Sequence, residues 1–468
     1  MNDKTFLKNW VSVRLSDLFI VETGSTPKTN IKDFWNGSIK WITPKDLGRI
    51  KSNYIYDTER KITKLALQKN NLKVIPADSI ILSTRAPIGY IAILKDNMTF
   101  NQGCKGLVKK SNEINIKFFY YLLLTKVTEM NRLGSGSTFK EISKSKIENL
   151  KIPLPPLAEQ HRMVAKIEEL FSKLDAGVEA LKKAKEQIKR YRQAVLKYAF
   201  EGKLTEEWRK NNFSQESASE LLEKIKEERK KKLGKKYKEL PQVDTSELPE
   251  LPEGWAWVRV KDIGEVVTGT TPSKAKQEYY GKIYPFFKPT DLNAGYYVNK
   301  SEDALSEKGV SKARLLPSKS ILVTCIGATI GKTGFIRIPG ASNQQINAII
   351  PHHHILPEYI FFICISPQFQ KRIIENASAT TLPILNKSSF EVLPLPLPPL
   401  IEQHKIVEEI ERRFSIADEI EKVIDNSLKQ AERLRQSILK KAFEGKLVPQ
   451  DPNDEPAEKL LKRILNVE

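Results

Sequence analysis

A nine-residue stretch occurs twice in this chain with a single change. PLPPLAEQH begins at Pro153, and PLPPLIEQH begins at Pro396. The similarity runs without insertion to the EGKL segments that end at Leu204 and Leu447, and 26 of the 52 aligned positions are identical. A match of this length indicates a tandem duplication, so the chain is expected to fold into two related halves.

The segments that precede the two copies resemble each other only at scattered motifs. These motifs are TGSTP (23–27) and TGTTP (268–272), PKDL (44–47) and PTDL (289–292), ILST (81–84) and ILVT (321–324), and NQ at 101–102 and 343–344. Each half therefore joins a divergent part to a retained part. This arrangement predicts one structural framework that occurs twice, each time joined to a different variable part.

Each retained copy predicts a long helix. Prolines precede it, proline suits its first turn, and Gly202 ends the first copy as a C-terminal cap. Apolar residues recur at heptad a and d spacing, which is typical of a coiled coil. In the first copy these positions are Val164, Phe171, Val178, Lys185 and Arg192 (a) and Ile167, Leu174, Leu181, Ile188 and Val195 (d). In the second they are Val407, Phe414, Glu421, Leu428 and Arg435 (a) and Ile410, Ala417, Ile424, Ala431 and Ile438 (d).

The simplest use of these seams is antiparallel pairing of the two helices within one chain, and homodimerisation through the same seam is the alternative.

The divergent segments mix short strand-like runs, turns and one late helix, which favours a curled sheet. The predicted fold class is α+β: two globular mixed α/β domains separated by two long antiparallel coiled-coil helices, in a pseudo-twofold tandem repeat. The expected segments are globular domains at 1–152 and 250–395, helices at 153–204 and 396–447, a charged helix and linker at 205–249, and a C-terminal tail at 448–468.

The formal net charge is +20, and it is concentrated in the first domain. Residues 1–152 carry 26 Lys and Arg against 13 Asp and Glu, whereas residues 250–395 carry 16 against 12. Such an excess favours a polyanionic partner, most commonly nucleic acid, although a lysine-rich surface would give the same count. The three cysteines form no CxxC pair, which predicts a reduced cytoplasm and no metal site.

The segment that resembles an enzyme motif does not have the residue spacing that the motif requires. GATIGKT (327–333) has three residues between its glycines, where a phosphate-binding loop needs four. No Asn/Asp-Pro-Pro-aromatic motif of an amino-methyltransferase occurs in the sequence. PHHHILP (351–357) is interpreted as a surface turn. We therefore expect no catalytic residues in this chain.

The remaining candidate residues are those whose side chains suit contacts with nucleic acid. Lysines suit phosphates, and amide side chains can pair bidentately with adenine. The alternative is that the interleaved aromatic residues belong to the core and the amides satisfy backbone groups. The candidate DNA-binding residues are Lys28, Lys32, Lys40, Lys45, Arg85, Asn101, Gln102, Lys105, Lys274, Lys276, Lys288, Lys332, Gln344 and Gln345.

The residues retained at the start of each helix are candidates for the coiled coil or for a partner contact. For the two histidines we expect packing in the first helical turn or contact with a partner, because neighbours suited to catalysis or to a metal are lacking. The set is Glu159, Gln160, His161, Phe171, Leu174, Glu402, Gln403, His404 and Phe414.

The doubled PLPPLxEQxxxV, the following IExxF and the long helix that closes in AFEGKL resemble the specificity subunit of type I restriction–modification enzymes. The TGSTP-to-PKDL stretch ahead of each copy does so too, and the resemblance covers nearly the whole chain. It implies that the globular domains are target-recognition domains, each of which reads one half of a bipartite, asymmetric DNA sequence. The two helices would form the spacer and dock other subunits.

The resemblance also implies the partners of the chain. They would be double-stranded DNA, two methyltransferase subunits and restriction/translocase subunits, in the cytoplasm of a prokaryote. S-adenosylmethionine, ATP and Mg would act in those partners, and this chain would hold no cofactor. Two alternatives remain, a DNA-recognition scaffold that serves methylation without a nuclease and a coiled-coil adaptor that does not read DNA.

Overall fold

The computed structural model describes residues 9–136, 140–212, 216–237, 239, 241–378 and 382–466. The chain forms two compact units, which we call unit 1 (Met1–Leu181 with Asn426–Glu468) and unit 2 (Lys182–Asp425). The outer ends of the first predicted domain and of the predicted tail, at 1–8 and 467–468, lie outside the described residues.

Unit 1 holds a five-stranded sheet of order β2-β9-β6-β7-β4, a three-stranded sheet of order β5-β3-β8 and the two-stranded ribbon β1-β10. The strands are β1 Val11–Arg14, β2 Phe19–Thr23, β3 Trp35–Ile42, β4 Tyr54–Ile55, β5 Lys61–Ile62, β6 Ile80–Thr84, β7 Ile88–Leu94, β8 Thr99–Phe100, β9 Cys104–Lys109 and β10 Lys151–Leu154. The helices of the globular part are α1 Leu15–Leu18, α2 Pro44–Arg49, α3 Lys64–Lys69, α4 Ile116–Leu133 and α5 Lys144–Glu148.

Strand β6 contains the ILST motif and is buried on both faces. Successive side chains of a strand point to opposite faces, and Ile80 and Leu82 pack in the core that contains Phe118 and Phe119 of α4. Ile81 faces a second core on the other side of the sheet. Every residue of β6 is therefore buried.

Unit 2 repeats this plan with a four-stranded sheet of order β12-β18-β15-β16, a three-stranded sheet of order β14-β13-β17 and the ribbon β11-β19. The strands are β11 Ala256–Arg259, β12 Gly264–Thr268, β13 Tyr280–Phe287, β14 Asp303–Leu305, β15 Ile321–Thr324, β16 Thr333–Phe335, β17 Ala341–Ser342, β18 Ile346–Pro351 and β19 Pro394–Leu397. The shorter helices are α7 Glu206–Asn211, α8 Ala218–Leu233, α9 Val260–Ile263, α10 Glu307–Val310, α11 Pro357–Cys364, α12 Pro367–Glu375 and α13 Lys387–Glu391.

The two long helices are α6 (Leu157–Phe200) and α14 (Leu400–Phe443), with 44 residues each. Each ends shortly before a glycine with positive φ, at +71° for Gly202 and +68° for Gly445. Glycine favours this left-handed conformation, which terminates the helix. The predicted long helices and the predicted fold class are confirmed.

The helices pair antiparallel within each unit. In unit 1 the early residues Val164 and Ile167 of α6 share a core with the late residue Ile438 of α14. In unit 2 the order is reversed, because the late residue Val195 of α6 packs in one core with the early residue Val407 of α14. Predicted a and d positions therefore meet within one chain.

Polar residues at the predicted a positions form ion pairs between the helices. In unit 2 the Lys185 ammonium lies 2.6 Å from an Asp425 oxygen, and an Arg192 nitrogen lies 2.7 Å from Asp418. In unit 1 Arg435 pairs with the Asp175 carboxylate. Polar a positions of this kind fix the register of a coiled coil.

The segment after each long helix returns to a globular domain. In unit 2, α8 buries Ala218, Leu221 and Ile225. In unit 1 the corresponding helix is α15 (Ala457–Leu465), which buries Ala457, Leu460 and Ile464. The Ala457 amide donates to the Asn9 carbonyl over 3.3 Å, so the tail packs beside the first described residues.

Candidate nucleic-acid interface

The TGSTP and TGTTP motifs form the same turn in both domains. Each motif follows a strand, β2 or β12, and its glycine lies against the backbone of the NQ segment. A Cβ atom added at Gly24 would lie 2.1 Å from the Asn101 carbonyl oxygen, and one added at Gly269 would lie 2.1 Å from that of Asn343. Only glycine allows this approach of two backbones, which explains why both copies keep it.

A side-chain hydrogen bond joins the turn to the NQ segment in both domains. The Thr26 hydroxyl donates to the Gln102 amide oxygen in unit 1, and the Thr271 hydroxyl donates to the Gln344 amide oxygen in unit 2. Both glutamine side chains are exposed. The two domains therefore hold one amide each in the same manner at the surface.

The asparagine of each NQ segment shapes its loop. The Asn101 side-chain oxygen accepts from the Gly103 amide over 3.0 Å, and that of Asn343 accepts from the Gln345 amide over 3.2 Å. Asn101, predicted as a base reader or as a backbone partner, bonds to the backbone in this structure, and Asn343, which was not among the candidates, does the same. Gln345 is half-buried and accepts from the Asn343 side chain over 3.0 Å.

The PKDL and PTDL motifs supply a second shared support. Asp46 accepts from the backbone amides of Thr43 and Glu59, at 2.8 and 2.9 Å. Asp291 accepts in the same way from the amides of Lys288 and Glu302, at 2.7 and 3.0 Å. Each aspartate ties two loops together, so this retained motif builds the frame.

The predicted lysines of unit 1 divide into two groups. Lys28 and Lys32 are exposed on the loop after the turn. Lys40 lies 2.8 Å from Asp96, and Lys45 lies 3.0 Å from Glu59. The side-chain hydrogen bond from the lysine lowers the pKa of each acidic partner, so these two lysines are already neutralised by neighbouring carboxylates.

Lys105 lies in an environment that the sequence does not reveal. Its side chain is on β9, the residue is only 4% exposed, and its ammonium donates to the Gln102 carbonyl over 3.3 Å. Burial lowers its pKa. Expected as a surface contact, Lys105 instead lies beneath the loop that carries Gln102. Arg85 is exposed at the end of β6, where its backbone bridges to Glu141.

The predicted residues of unit 2 are also spread over different settings. Lys274 and Lys276 are exposed beside the turn, and Lys276 lies 5.5 Å from the centre of the Tyr279 ring. Lys288 pairs with Asp303. Lys332 donates to the Asn293 side chain over 2.8 Å, which places the GATIGKT lysine in a loop contact.

Arg60 of unit 1 was not among the candidate DNA-binding residues predicted from the sequence, but it lies beside the turn's aromatic neighbours. Its guanidinium lies 3.6 Å from the centre of the Trp35 ring and 5.4 Å from that of Trp41. The Trp41 indole donates to the Ser25 carbonyl of the TGSTP turn over 3.1 Å. Both tryptophans are interleaved in sequence with the candidate lysines, but the arginine follows them by some 20 positions and no local spacing connects it to them.

A family model described as the type I restriction modification DNA specificity domain matches residues 7–190 and again residues 252–430. The chain belongs to the type I restriction modification DNA specificity family. The predicted resemblance is confirmed, and the two matches coincide with the two halves of the duplication.

Specificity subunits from other organisms are similar to this family member over most of its length. The type I restriction enzyme MjaIX specificity subunit of Methanocaldococcus jannaschii is 29% identical and covers 94% of both chains. The EcoDI specificity subunit of Escherichia coli is 28% identical and covers 77% of both. A solved chain from a study of complex assembly and conformational transition of the type I R-M system has a TM-score of 0.68 at 19% identity and covers 95% of this chain and all of its own. The HsdS subunit from Thermoanaerobacter tengcongensis has a TM-score of 0.54 at 18% identity, with 94% and 97% covered.

The EQH residues of this type I specificity chain lie mainly inside its units. The Trp10 indole donates to Glu159 over 3.0 Å in unit 1, and the Trp255 indole donates to Glu402 over 2.8 Å in unit 2. Glu159, Gln160, Glu402 and Gln403 are all buried. They were candidates for the coiled coil or for a partner contact, and in this structure they are buried where each globular domain meets its own long helix.

The two buried glutamates differ in their surroundings. Glu402 accepts from Arg209 over 3.0 Å and from the Thr205 hydroxyl over 2.6 Å. Glu159 is not paired with an arginine in the described residues, and burial raises its pKa. The folded state therefore binds the Glu159 proton more tightly than the unfolded chain does. The stability from this group is present below the ordinary glutamate pKa and is lost as the pH rises through the raised value.

Glutamine replacements should separate these two cases. Glu402→Gln leaves the Arg209 guanidinium, which is 21% exposed, without its counter-charge, and we expect unit 2 to lose about 2 to 3 kcal/mol of unfolding free energy at pH 7. Glu159→Gln keeps an acceptor for Trp10 and removes a desolvated charge, so unit 1 should keep its stability. Thermal melting at pH 5 and pH 8 checks both variants, and equal losses would contradict this reading.

The remaining residues of the coiled-coil set have different exposure. His161 and His404 are exposed, and of the two expectations for them this exposure favours contact with a partner over packing in the first helical turn. His161 lies 3.1 Å from the Asn115 side chain at the start of α4. Phe171 is buried, and Leu174 and Phe414 are half-buried in the helix pair.

The helix pair of each unit presents apolar residues at its surface. In unit 2, Ile416, Ile420 and Val423 of α14 are 51%, 48% and 61% exposed, and their spacing places them on one helix face. In unit 1 a groove of about 450 Å³ runs between α6 and α14. It is lined by Lys173, Leu174, Gly177, Val178, Leu181, Ser427, Gln430, Ala431, Arg433, Leu434 and Ser437.

Over the described ranges, no helix is long and apolar enough to cross a bilayer. Within the same ranges, no group of three His, Cys, Asp or Glu side chains is placed to hold a metal ion.

Proposed function

We propose that this chain is the non-catalytic specificity subunit of a type I restriction–modification complex and that it reads a bipartite, asymmetric DNA sequence. Each globular domain would read one half of that sequence. The observation that carries this proposal is the double match to the DNA specificity family on two domains that share a frame but differ in their exposed loops.

The charge distribution supports DNA as the ligand. Residues 1–152 carry twice as many basic as acidic residues, and Lys28 and Lys32 are exposed beside the turn that holds Gln102. Lysines in such positions suit phosphate contacts, which position a protein on the duplex, whereas amides suit base edges. The first domain would therefore supply most of the sequence-independent attraction.

The helix pairs are proposed to dock the other subunits. The exposed Ile416, Ile420 and Val423 form an apolar strip on α14, and such strips mark protein interfaces. Two methyltransferase subunits would bind the two related helix pairs, and restriction/translocase subunits would join them. S-adenosylmethionine, ATP and Mg would serve those partners, and this chain would act in the cytoplasm without a cofactor of its own.

The salt dependence of DNA binding tests the proposal. The chain, assembled with its methyltransferase, should bind a duplex that contains its target, with an affinity that falls steeply as salt rises. Replacing Lys28 and Lys32 by Gln should reduce the slope of log K against log salt by about 2 if both contact phosphates. Replacing Lys230 and Lys231 by Gln on the exposed face of α8 should leave the slope unchanged.

The two alternatives predict different results. A coiled-coil adaptor would assemble with its partner but show no salt-dependent binding of duplex DNA. A methylation-only scaffold would bind and direct methylation, and no nuclease subunit would co-purify. Absence of target binding by the assembled complex would overturn the proposal.

A further inference from the structure

A hydrogen bond from a threonine to an exposed glutamine occurs in both domains, and it bears on which bases the two domains read. Two domains that read different bases need different contact residues, yet both keep the same exposed amide in the same setting. Gly24 and Gly269 fit the same turn, and Thr26 and Thr271 donate to Gln102 and Gln344. A group that is held identically in both domains suits a ligand feature that is common to both half-sites.

The neighbours of the two glutamines are different. Gly103 follows Gln102, whereas Gln345 follows Gln344. Three positions after each glutamine lies a buried polar residue, Lys105 in unit 1 and Asn347 in unit 2. The Asn347 oxygen accepts from the Thr268 hydroxyl over 2.7 Å. The glutamine is thus the same in both domains, whereas the residues around it differ. Such differences would allow the two domains to distinguish different half-sites.

The hydrogen-bonding groups of a fixed amide limit which DNA base it can contact. A glutamine oxygen has two lone pairs and its nitrogen has two hydrogens. The threonine hydroxyl occupies one lone pair of each exposed glutamine, which leaves one acceptor lone pair and both donor hydrogens for a ligand. That combination matches the N7 acceptor and N6 donor of adenine in the major groove, whereas the two adjacent acceptors of guanine offer the glutamine oxygen no donor.

We infer that Gln102 and Gln344 are equivalent base-reading residues and that each contacts the A·T pair that the two half-sites have in common. This inference rests on the proposed function. Two copies of one partner enzyme on one repeated frame would be placed alike on the two half-sites, and a base pair common to both half-sites suits such a placement. Thr26 and Thr271 are positioning residues, because they act on the DNA only by orienting the glutamine.

The experiment uses the chain assembled with its methyltransferase. The methylated motif is mapped first, and binding is then measured to the native duplex and to duplexes in which the shared A·T pair of one half-site is replaced by G·C. Gln102→Ala should weaken binding to the native duplex by about 10- to 100-fold. It should also abolish discrimination between A·T and G·C in one half-site only, and Gln344→Ala should do the same in the other.

Matched variants separate base reading from other causes. Gln68→Ala and Gln277→Ala, at exposed glutamines of the same two domains, should leave binding and discrimination unchanged. Thr26→Val should reproduce part of the Gln102→Ala loss, and Thr26→Ser should restore it because the hydroxyl is kept. Melting curves of every variant establish that it is folded.

Three results would overturn the inference. One is a uniform loss of affinity for all duplexes with a lower salt slope, which marks a phosphate contact. The second is intact discrimination at the shared pair in both variants. The third is a wild-type complex without preference for its mapped motif, and this result would refute the proposed function as well.

Discussion

Replacing Phe171 by Ala should cost unit 1 about 3 to 4 kcal/mol of unfolding free energy. The Phe171 ring is buried, contacts the Tyr121 ring edge-on at 5.8 Å between centres, and carries the Arg435 guanidinium at 4.3 Å. Truncation leaves a cavity where the globular domain meets the helix pair, and it removes the surface on which Arg435 rests. The melting temperature of unit 1 should fall by roughly 6 to 15 °C.

Two control variants calibrate this result. Leu174→Ala, one turn later on α6, removes a half-buried side chain at the groove and should cost only about 1 kcal/mol. Phe414→Ala, the equivalent change in unit 2, should lie between the two, because Phe414 is half-buried but still contacts Phe362 at 6.0 Å. If all three variants melted alike, the packing described for Phe171 would be wrong.

The long helices and their seam could be predicted because the information is local and repeated. Proline before the helix, glycine after it and apolar residues at a and d define each copy without knowledge of the rest of the chain. The strands IILST and ILVT could be found for a similar reason, since short apolar runs between turns are typical of buried strands.

The settings of individual site residues could not be predicted, because they depend on contacts between distant positions. Lys40 meets Asp96, and Trp10 meets Glu159 across 149 positions. The burial of Lys105 follows from its place on β9, between β2 and β6, which no spacing shows. The role of Thr26 could have been suspected from the paired TGSTP and NQ motifs, but their contact required the folded chain.

The largest functional effect is expected from exchanging one globular domain. The ribbon β1-β10 pairs Val11 with Leu154, so the chain enters and leaves the first domain at one place. Replacing residues 15–150 by the corresponding segment of a relative keeps this ribbon, Trp10 and its bond to Glu159. The exchange should therefore retain the helix pair and its proposed docking surface, and it should replace all the loops that are proposed to read bases in one domain.

Mapping the methylated motif of this exchanged chain, assembled with its native methyltransferase, is the most direct test of the central claim. We predict that one half of the motif changes to that of the donor, while the other half and the number of unread bases between them stay the same. A change in both halves, or a native motif that is one uninterrupted palindrome, would contradict the account of two independent domains on a duplicated frame.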